Sequence, residues 1–276
     1  NITEAQTIKY FNIKNKKIAF INCCENEWST TFGNYPGCNP LNEIDIYNQI
    51  KEAKSNSDYV ITIIHGGHEM FEYPSPRMKK LYRWFIDLGA DTVIGHHTHC
   101  FSGYEIYNNK PIVYSLGNFI FDKKQKKTIW NYGAAAVLSI NNNKIELDLY
   151  PYRQCDEELG IRLLNNNEKK DWENKELLKV NIIQNDELLM NKFNQFIKEK
   201  NLSNESYMCY KDSHTINDFS YNETTKMIIN NSHIKIKSNK NIPSFFYNIR
   251  KFRNIFVCDF DNHDYFLLDE TCISYF

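Results

Sequence analysis

The feature that most restricts the fold of this chain is an alternation, over residues 17–94, of short apolar runs with longer amphipathic ones. Lys17-Ile18-Ala19-Phe20-Ile21 reads as a buried strand, and Tyr59-Val60-Ile61-Thr62-Ile63-Ile64 is the continuous, mostly β-branched run of a strand covered on both faces. Thr92-Val93-Ile94 is a third strand. Between the first two, Asn39-Pro40 reads as a helix start with proline at the first helical position, followed by Leu41, Ile44, Tyr47 and Ile50 at helical spacing. Between the second and third, Ser75-Pro76 opens a helix with Met78, Leu81, Phe85 and Leu88 on one face and Gly89 as its stop. The order β-α-β-α-β predicts parallel strands joined by crossover helices, an α/β fold.

The pattern then changes. Residues 104–107, 112–115, 134–140 and 144–150 are short strands with turn chemistry at Asn108-Asn109 and Asn141-Asn142-Asn143, which predicts antiparallel pairing. Residues 168–200 carry charged helical segments, and 201–276 are polar and aromatic without a clear period. The expected division is 1–155 and 156–276, the second part mostly helical or irregular and of unknown function.

Five of the eight histidines fall between residues 65 and 99, in two clusters that each follow a buried strand: Ile64-His65-Gly66-Gly67-His68-Glu69 and Gly95-His96-His97-Thr98-His99. Ligands of open α/β sheets bind beyond the carboxyl ends of the strands, so both clusters should meet on one sheet edge. In extended backbone, residues two apart point to the same side, which pairs His97 with His99 and turns His96 away. Neutral imidazole binds zinc, iron and manganese. His65, His97 and His99 are therefore the expected metal ligands, with Gly66 and Gly67 allowing a sharp turn. His68 and His96 are read as supporting residues. Glu69 is either a carboxylate behind the ligands, a substrate contact, or a solvated side chain; with His96 it is a candidate catalytic group. His68-Glu69-Met70-Phe71-Glu72 mimics a helical H-E-x-x-H zinc motif but ends in Glu, and flanking glycines and Pro74 oppose a long helix.

Composition removes other classes. Lys plus Arg number 33 against 34 Asp plus Glu, a net charge of -1, which offers no general attraction for nucleic acid. No run of about 18 apolar residues spans a bilayer. The eight cysteines include no C-x-x-C pair and read as reduced thiols. Lys123, Lys124, Lys126 and Lys127 read as a solvated loop with some attraction for a polyanion. Asp259, Asp261, Asn262 and Asp264 lack the glycine and final glutamate of a calcium loop. His214, His233 and His263 read as structural or exposed. The first residue is Asn1, so the chain reads as a fragment or processed product, cytoplasmic or membrane-associated if an anchor preceded it.

Three segments carry a family resemblance. Ile64-His65-Gly66-Gly67-His68-Glu69 with Pro74-Ser75-Pro76 resembles the H-W-G-x-E segment of the CapA family of bacterial capsule-synthesis proteins. Leu88-Gly89-Ala90-Asp91-Thr92-Val93-Ile94-Gly95-His96-His97-Thr98-His99 is similar to its G-A-D-x-V-I-G-H-H-P-H motif. Pro111-Ile112-Val113-Tyr114-Ser115-Leu116-Gly117-Asn118-Phe119-Ile120-Phe121-Asp122 resembles its Y-S-L-G-N-F-x-F-D motif. Gly66 stands where the family usually has Trp, and Thr98 where it has Pro.

The resemblance covers about residues 1–152. It implies part of a calcineurin-like metallophosphoesterase sandwich, a role in poly-γ-glutamate capsule production, and a divalent metal centre (Mn, Fe or Zn) with nitrogen ligands at His65, His97 and His99. It further implies, as partners, an anionic polymer or a small phosphorylated or amide substrate, and a membrane synthase complex. On the resemblance alone, Ser115 and Asn118 form a substrate-contacting rim; on the residues alone they form a capped turn at a strand end. The family's early G-D aspartate and N-N-H-type motif do not appear before residue 16. The expectation is a C-terminal half-domain, weakly active or inactive by itself. The other expectations are a plain phosphoesterase acting on a small substrate and a non-catalytic binding subunit.

Overall fold

The computed structural model describes residues 1–25, 29–121, 128–155, 158–200, 207–210, 213–218, 222–229, 234–239, 256–259 and 264–267. Asp122, the four lysines at 123, 124, 126 and 127, His233, Asp261, Asn262 and His263 lie outside them. Two compact units emerge, Asn1–Leu189 and Met190–Phe276, so the first unit runs past the boundary expected at residue 155.

The first unit has a short helix α1 (Ile2–Ala5) and then strands β1 (Lys9–Ile13) and β2 (Lys16–Cys24). Helix α2 (Glu43–Asn56), β3 (Tyr59–Gly66), α3 (Pro76–Leu88) and β4 (Thr92–His97) follow, then β5 (Tyr104–Tyr107) and β6 (Lys110–Val113). These strands form one sheet in the order β1-β2-β3-β4-β6-β5. The four inner strands are parallel, and each outer strand is antiparallel to its neighbour. Parallel strands are built from crossovers of one hand, which places α2 and α3 on the same face.

Period-two alternation divides each inner strand between the two faces. Ala19, Ile21 and Cys23 of β2, with Val60 and Ile64 of β3, pack with Ile46 and Ile50 of α2 and Phe85 of α3 in the main core. Ile18, Tyr59 and Ile61 point to the other face, against Leu138, Ile140 and Ile145. Those three side chains belong to β7 (Tyr132–Asn141) and β8 (Lys144–Gln154), which form a second, antiparallel sheet with β9 (Ile161–Leu163). The unit is thus a mixed α/β sandwich of three layers: helices, mixed sheet, antiparallel sheet. The hairpin turns at Asn108-Asn109 (φ 51° and 61°) and Asn142-Asn143 (φ 48° and 60°) take the left-handed backbone that asparagine tolerates.

One helix start differs from the reading of the sequence. Asn39-Pro40 does not open α2. Pro40 bridges to Cys24, and the Asn39 amide donates to the Asn22 carbonyl at 2.8 Å. The cap is Asn42, whose side chain accepts from the Ile44 and Asp45 amides. Two Asx-type starts stand three residues apart, and the one preceding an acidic first turn, Glu43 and Asp45, is used.

Helix α4 (Asn166–Gln184) joins the first unit through Ile183, which lies in the main core. Its N-terminus is a capping box of Asn165 and Glu168. Arg162 grips Glu168 with two bonds of 2.8 Å and, with the Asn165 amide, holds its carboxyl down at about 2 against the usual 4.5. A carboxyl with a depressed folded pKa stabilises the fold above about 4.5 and ceases to do so as pH falls through about 2. Glu168→Gln keeps the cap geometry and removes the charge. It is expected to lower Tm at neutral pH by a few degrees, on the order of 1 kcal/mol, and to leave Tm unchanged near pH 2, as thermal scans at the two pH values would read.

Helix α5 (Asp186–Lys200) spans the boundary; in the second unit β10 (Tyr207–Tyr210), β11 (Ser213–Asp218), β12 (Glu223–Ile229) and β13 (Ile234–Ser238) form a four-stranded antiparallel sheet, and β14 (Phe256–Asp259) pairs with β15 (Asp264–Leu267). The helices of 168–200 match the expectation, but the strands beyond 207 had shown no period. The reason is visible in β12, whose inward positions are Glu223, Thr225 and Met227: two of the three are polar, so hydropathy hides the alternation. His214 is fully buried, with Nδ1 2.6 Å from the Tyr207 hydroxyl and Nε2 3.1 Å from Asn194 Oδ1. Cys23, Cys24, Cys38, Cys100, Cys155 and Cys209 are free thiols.

Candidate functional site

The carboxyl ends of β3 and β4 lie side by side in parallel register, His65 opposite His96 and Gly66 opposite His97. The end of β6 is brought against them by Gly95. An added Cβ there would stand 2.0 Å from the Tyr114 carbonyl oxygen, so only glycine lets the two backbones pass. The Leu116 amide then donates to the Gly95 carbonyl at 3.1 Å, and the segment carrying Asn118 follows.

His65 Nε2 and His97 Nδ1 are 3.1 Å apart, with ring centroids at 4.8 Å. The rings of His97 and His99 are 6.0 Å apart. The route to this convergence differs from the one expected. His97 and His99 are not two positions of one extended strand: their φ angles are 96° and 58°. A left-handed turn, uncommon outside glycine, swings the two rings toward each other.

His99 is held from behind. Asn118 Nδ2 donates to the carbonyls of His99 and Trp130, both at 3.2 Å, which fixes the amide orientation and leaves Oδ1 as the acceptor. Oδ1 lies 2.8 Å from His99 Nδ1, so in the neutral ring Nδ1 carries the hydrogen and Nε2 keeps its lone pair. Trp130 stacks on the ring at 4.8 Å. Asn118 is only 5 % exposed and orients His99. Ser115 is fully buried, its Oγ accepting from the Gly117 amide at 3.3 Å, and it shapes the turn.

His68 is neutral at ordinary pH: burial, with Arg77 and His97 nearby, pushes it down to about 3. Burial and His65 likewise lower His96, which stands half-buried beside His65 in the sheet. Glu69 is exposed in the turn after β3.

Glu25 went unnoticed in the sequence. It directly follows β2, the strand beside β3, and its amide donates to the His65 carbonyl at 2.8 Å. Its carboxylate accepts from the Gly67 amide at 3.0 Å and from Arg77 at 3.2 Å. Burial is the largest influence on this carboxyl and raises its pKa against the pull of Arg77, Gly67 and His97. The strand-end rule that singled out His65 applies equally to residue 25.

Two imidazole nitrogens bound to one ion at about 2.0–2.1 Å stand about 3.0–3.4 Å apart. The 3.1 Å spacing of His65 and His97 fits that, while the His99 ring centre lies 6.0 Å from that of His97. Among the described residues, no three His, Cys, Asp or Glu side chains surround one point closely enough to hold an ion. Of the three expected ligands, the structure brings His65 and His97 to this spacing but does not gather all three around one point. A separate cavity of about 190 Å³, lined by Phe101, Trp172, Glu176 and Lys179 among others, contains none of these histidines.

Residues 1–123 match the family model described as bacterial capsule synthesis protein PGA_cap. Capsule biosynthesis protein CapA of Bacillus anthracis is 31 % identical over 134 residues, 46 % of this chain and 33 % of that protein. PGA biosynthesis protein CapA of Bacillus subtilis (strain 168) is 40 % identical over 95 residues, 34 % of this chain and 25 % of that one. The chain thus spans a third or less of the length of these curated relatives. A solved structure of a hypothetical protein from Thermus thermophilus is 13 % identical, with a TM-score of 0.38, and covers 53 % of this chain and 61 % of that chain. The segment that builds the histidine cluster thus lies within the residues, 1–123, that match the bacterial capsule synthesis family model PGA_cap.

Proposed function

We propose that this chain serves capsule polymer biosynthesis, of the poly-γ-glutamate type, through a divalent metal site whose nitrogen ligands are His65, His97 and His99. The supporting observation is the 3.1 Å approach of His65 Nε2 to His97 Nδ1 at adjacent parallel-strand tips, inside the segment matched by the capsule family. A bound divalent ion, Mn, Fe or Zn, would supply Lewis acidity toward a phosphoryl or amide oxygen. The chain's own residues set the stage for it. Asn118 fixes which nitrogen of His99 is the donor, burial lowers the pKa of His68 and His96, and His97 is turned inward by its left-handed backbone. Further ligands would come from outside the described residues. The substrate would be an anionic polymer or a small phosphorylated or amide compound, and the partner a membrane synthase complex.

A second reading has one observation in its favour: the described residues do not complete a metal site by themselves. In that reading the chain is a binding subunit that keeps the fold and performs no chemistry. His97→Ala separates the two. It is expected to cut zinc or manganese bound per chain to near zero, by metal analysis after dialysis, and polymer yield in producing cells at least tenfold. Full polymer yield from the variant would favour the binding role.

A further inference from the structure

Helix α4 turns a charged stripe inward. Glu168, Asp171, Trp172, Lys175, Glu176 and Lys179 line the cavity of about 190 Å³, while Leu177 and Leu178 are 64 % and 65 % exposed. A surface helix ordinarily does the reverse. Glu72, Phe101, Ile129 and Tyr132 complete the wall, all within the first unit. The rings of Phe101 and Trp172 stand 5.3 Å apart, inclined at 59°. An aromatic wall with a few buried polar groups is the usual make-up of a small-molecule site.

The hydrogen-bonding capacity of this lining is lopsided. An ammonium has three donors. Lys179, 3 % exposed, has three partners: the Phe101 carbonyl at 3.0 Å, Glu176 Oε1 at 2.9 Å and Glu72 at 3.3 Å. Lys175 pairs with Glu72 as well, and Glu168 is taken by Arg162. The other carboxylates are not filled. The Glu176 side chain is also 3 % exposed, and its Oε2 is buried with no hydrogen-bond partner. A buried acceptor in that state is costly until something donates to it. Burial raises the pKa of this carboxyl against the pull of Lys179, the response of a carboxylate short of positive charge. Asp171 is exposed and makes no ion pair among the described residues.

We propose that this cavity binds a small organic amine, whose ammonium donates to Glu176 Oε2 and whose apolar body lies against Trp172 and Phe101. The site is separate from the histidine cluster and independent of any metal there. An anion of the same size finds no spare donor on Lys179, and a neutral molecule fills the space without answering the charge on Glu176. An ammonium does both, and the faces of the two rings favour a cation further.

Benzylamine, benzyl alcohol and benzoate share one frame and differ in charge, so calorimetric titration of the full chain with each reads the selectivity. Benzylamine is expected to bind about tenfold or more tighter than benzyl alcohol, the gain of a charge-assisted hydrogen bond over a neutral one, and benzoate not measurably. Glu176→Gln keeps the shape and removes the charge; it is expected to weaken benzylamine binding by about tenfold and to leave benzyl alcohol unaffected. Trp172→Leu is expected to weaken both. Tm reports the folding of each variant, and the ligand series with Trp172→Leu tests the site even where Glu176→Gln does not fold. No saturable binding of benzylamine, equal affinity for the amine and the alcohol, or an affinity unchanged in either folded variant would overturn the proposal.

Discussion

Replacing Glu105 by alanine is expected to destabilise the first unit by about 3–5 kcal/mol, the usual cost of removing one partner from a buried charged pair. Glu105 lies on the outer strand β5 and is only 1 % exposed. It receives Arg83 Nε at 2.9 Å and Nη2 at 2.6 Å, a bidentate grip, and also the hydroxyl of Tyr114. Arg83 comes from α3 and Tyr114 directly follows β6, so one carboxylate ties the helical layer to the sheet edge. Burial and then the Glu105 charge push the Tyr114 hydroxyl well above its ordinary pKa, so it stays protonated and donates. Alanine at 105 would leave the Tyr114 hydroxyl buried without its acceptor and the guanidinium half-hydrated. Glu105→Gln, which keeps an acceptor in place, is expected to cost about 1–3 kcal/mol. Urea unfolding of the three proteins would read both values. A loss below 1 kcal/mol for the alanine variant would mean that the pair contributes little.

The second large effect is expected at Gly95, where alanine should cost about 3 kcal/mol or more. The added methyl would sit 2.0 Å from the Tyr114 carbonyl oxygen and 2.7 Å from its carbon, and both atoms are backbone. No side-chain rotation relieves that contact. Either β6 moves off β4, losing the bond from the Leu116 amide to the Gly95 carbonyl, or the inner sheet distorts. The first route also displaces the segment bearing Asn118, so His99 would lose the acceptor that fixes its tautomer. Denaturant unfolding together with histidine ring NMR would show both losses. A folded Gly95→Ala protein of unchanged Cm would refute this account of the crossing.

Much of the sheet was legible because parallel strands buried on both faces must be apolar at every position. That is why 17–21, 59–64 and 92–94 stood out, and why two histidine clusters at strand ends could be placed on one edge before any coordinates. What stayed hidden depended on contacts distant in the chain. Glu25 sits in a short polar stretch without a period, and its partners Gly67 and Arg77 are brought to it only by the β2–β3 pairing and the seating of α3. Extended geometry was the wrong guide for His97 and His99, because a left-handed turn in histidine leaves no mark on hydropathy. Asn118 and Ser115 carried a motif, but their burial and the hold of Asn118 on the His99 ring leave no mark in it. The strands beyond residue 207 were obscured by glutamate and threonine at inward positions.

The backbone at His97 has a wider consequence. With φ at 96°, the peptide chain there is at ease only with a residue lacking a Cβ, yet an imidazole stands in that place. Sequence changes selected for heat resistance alone would tend to drift toward glycine at this point, and in doing so would erase the ring that meets His65. Robustness and chemical capability pull this one position in opposite directions.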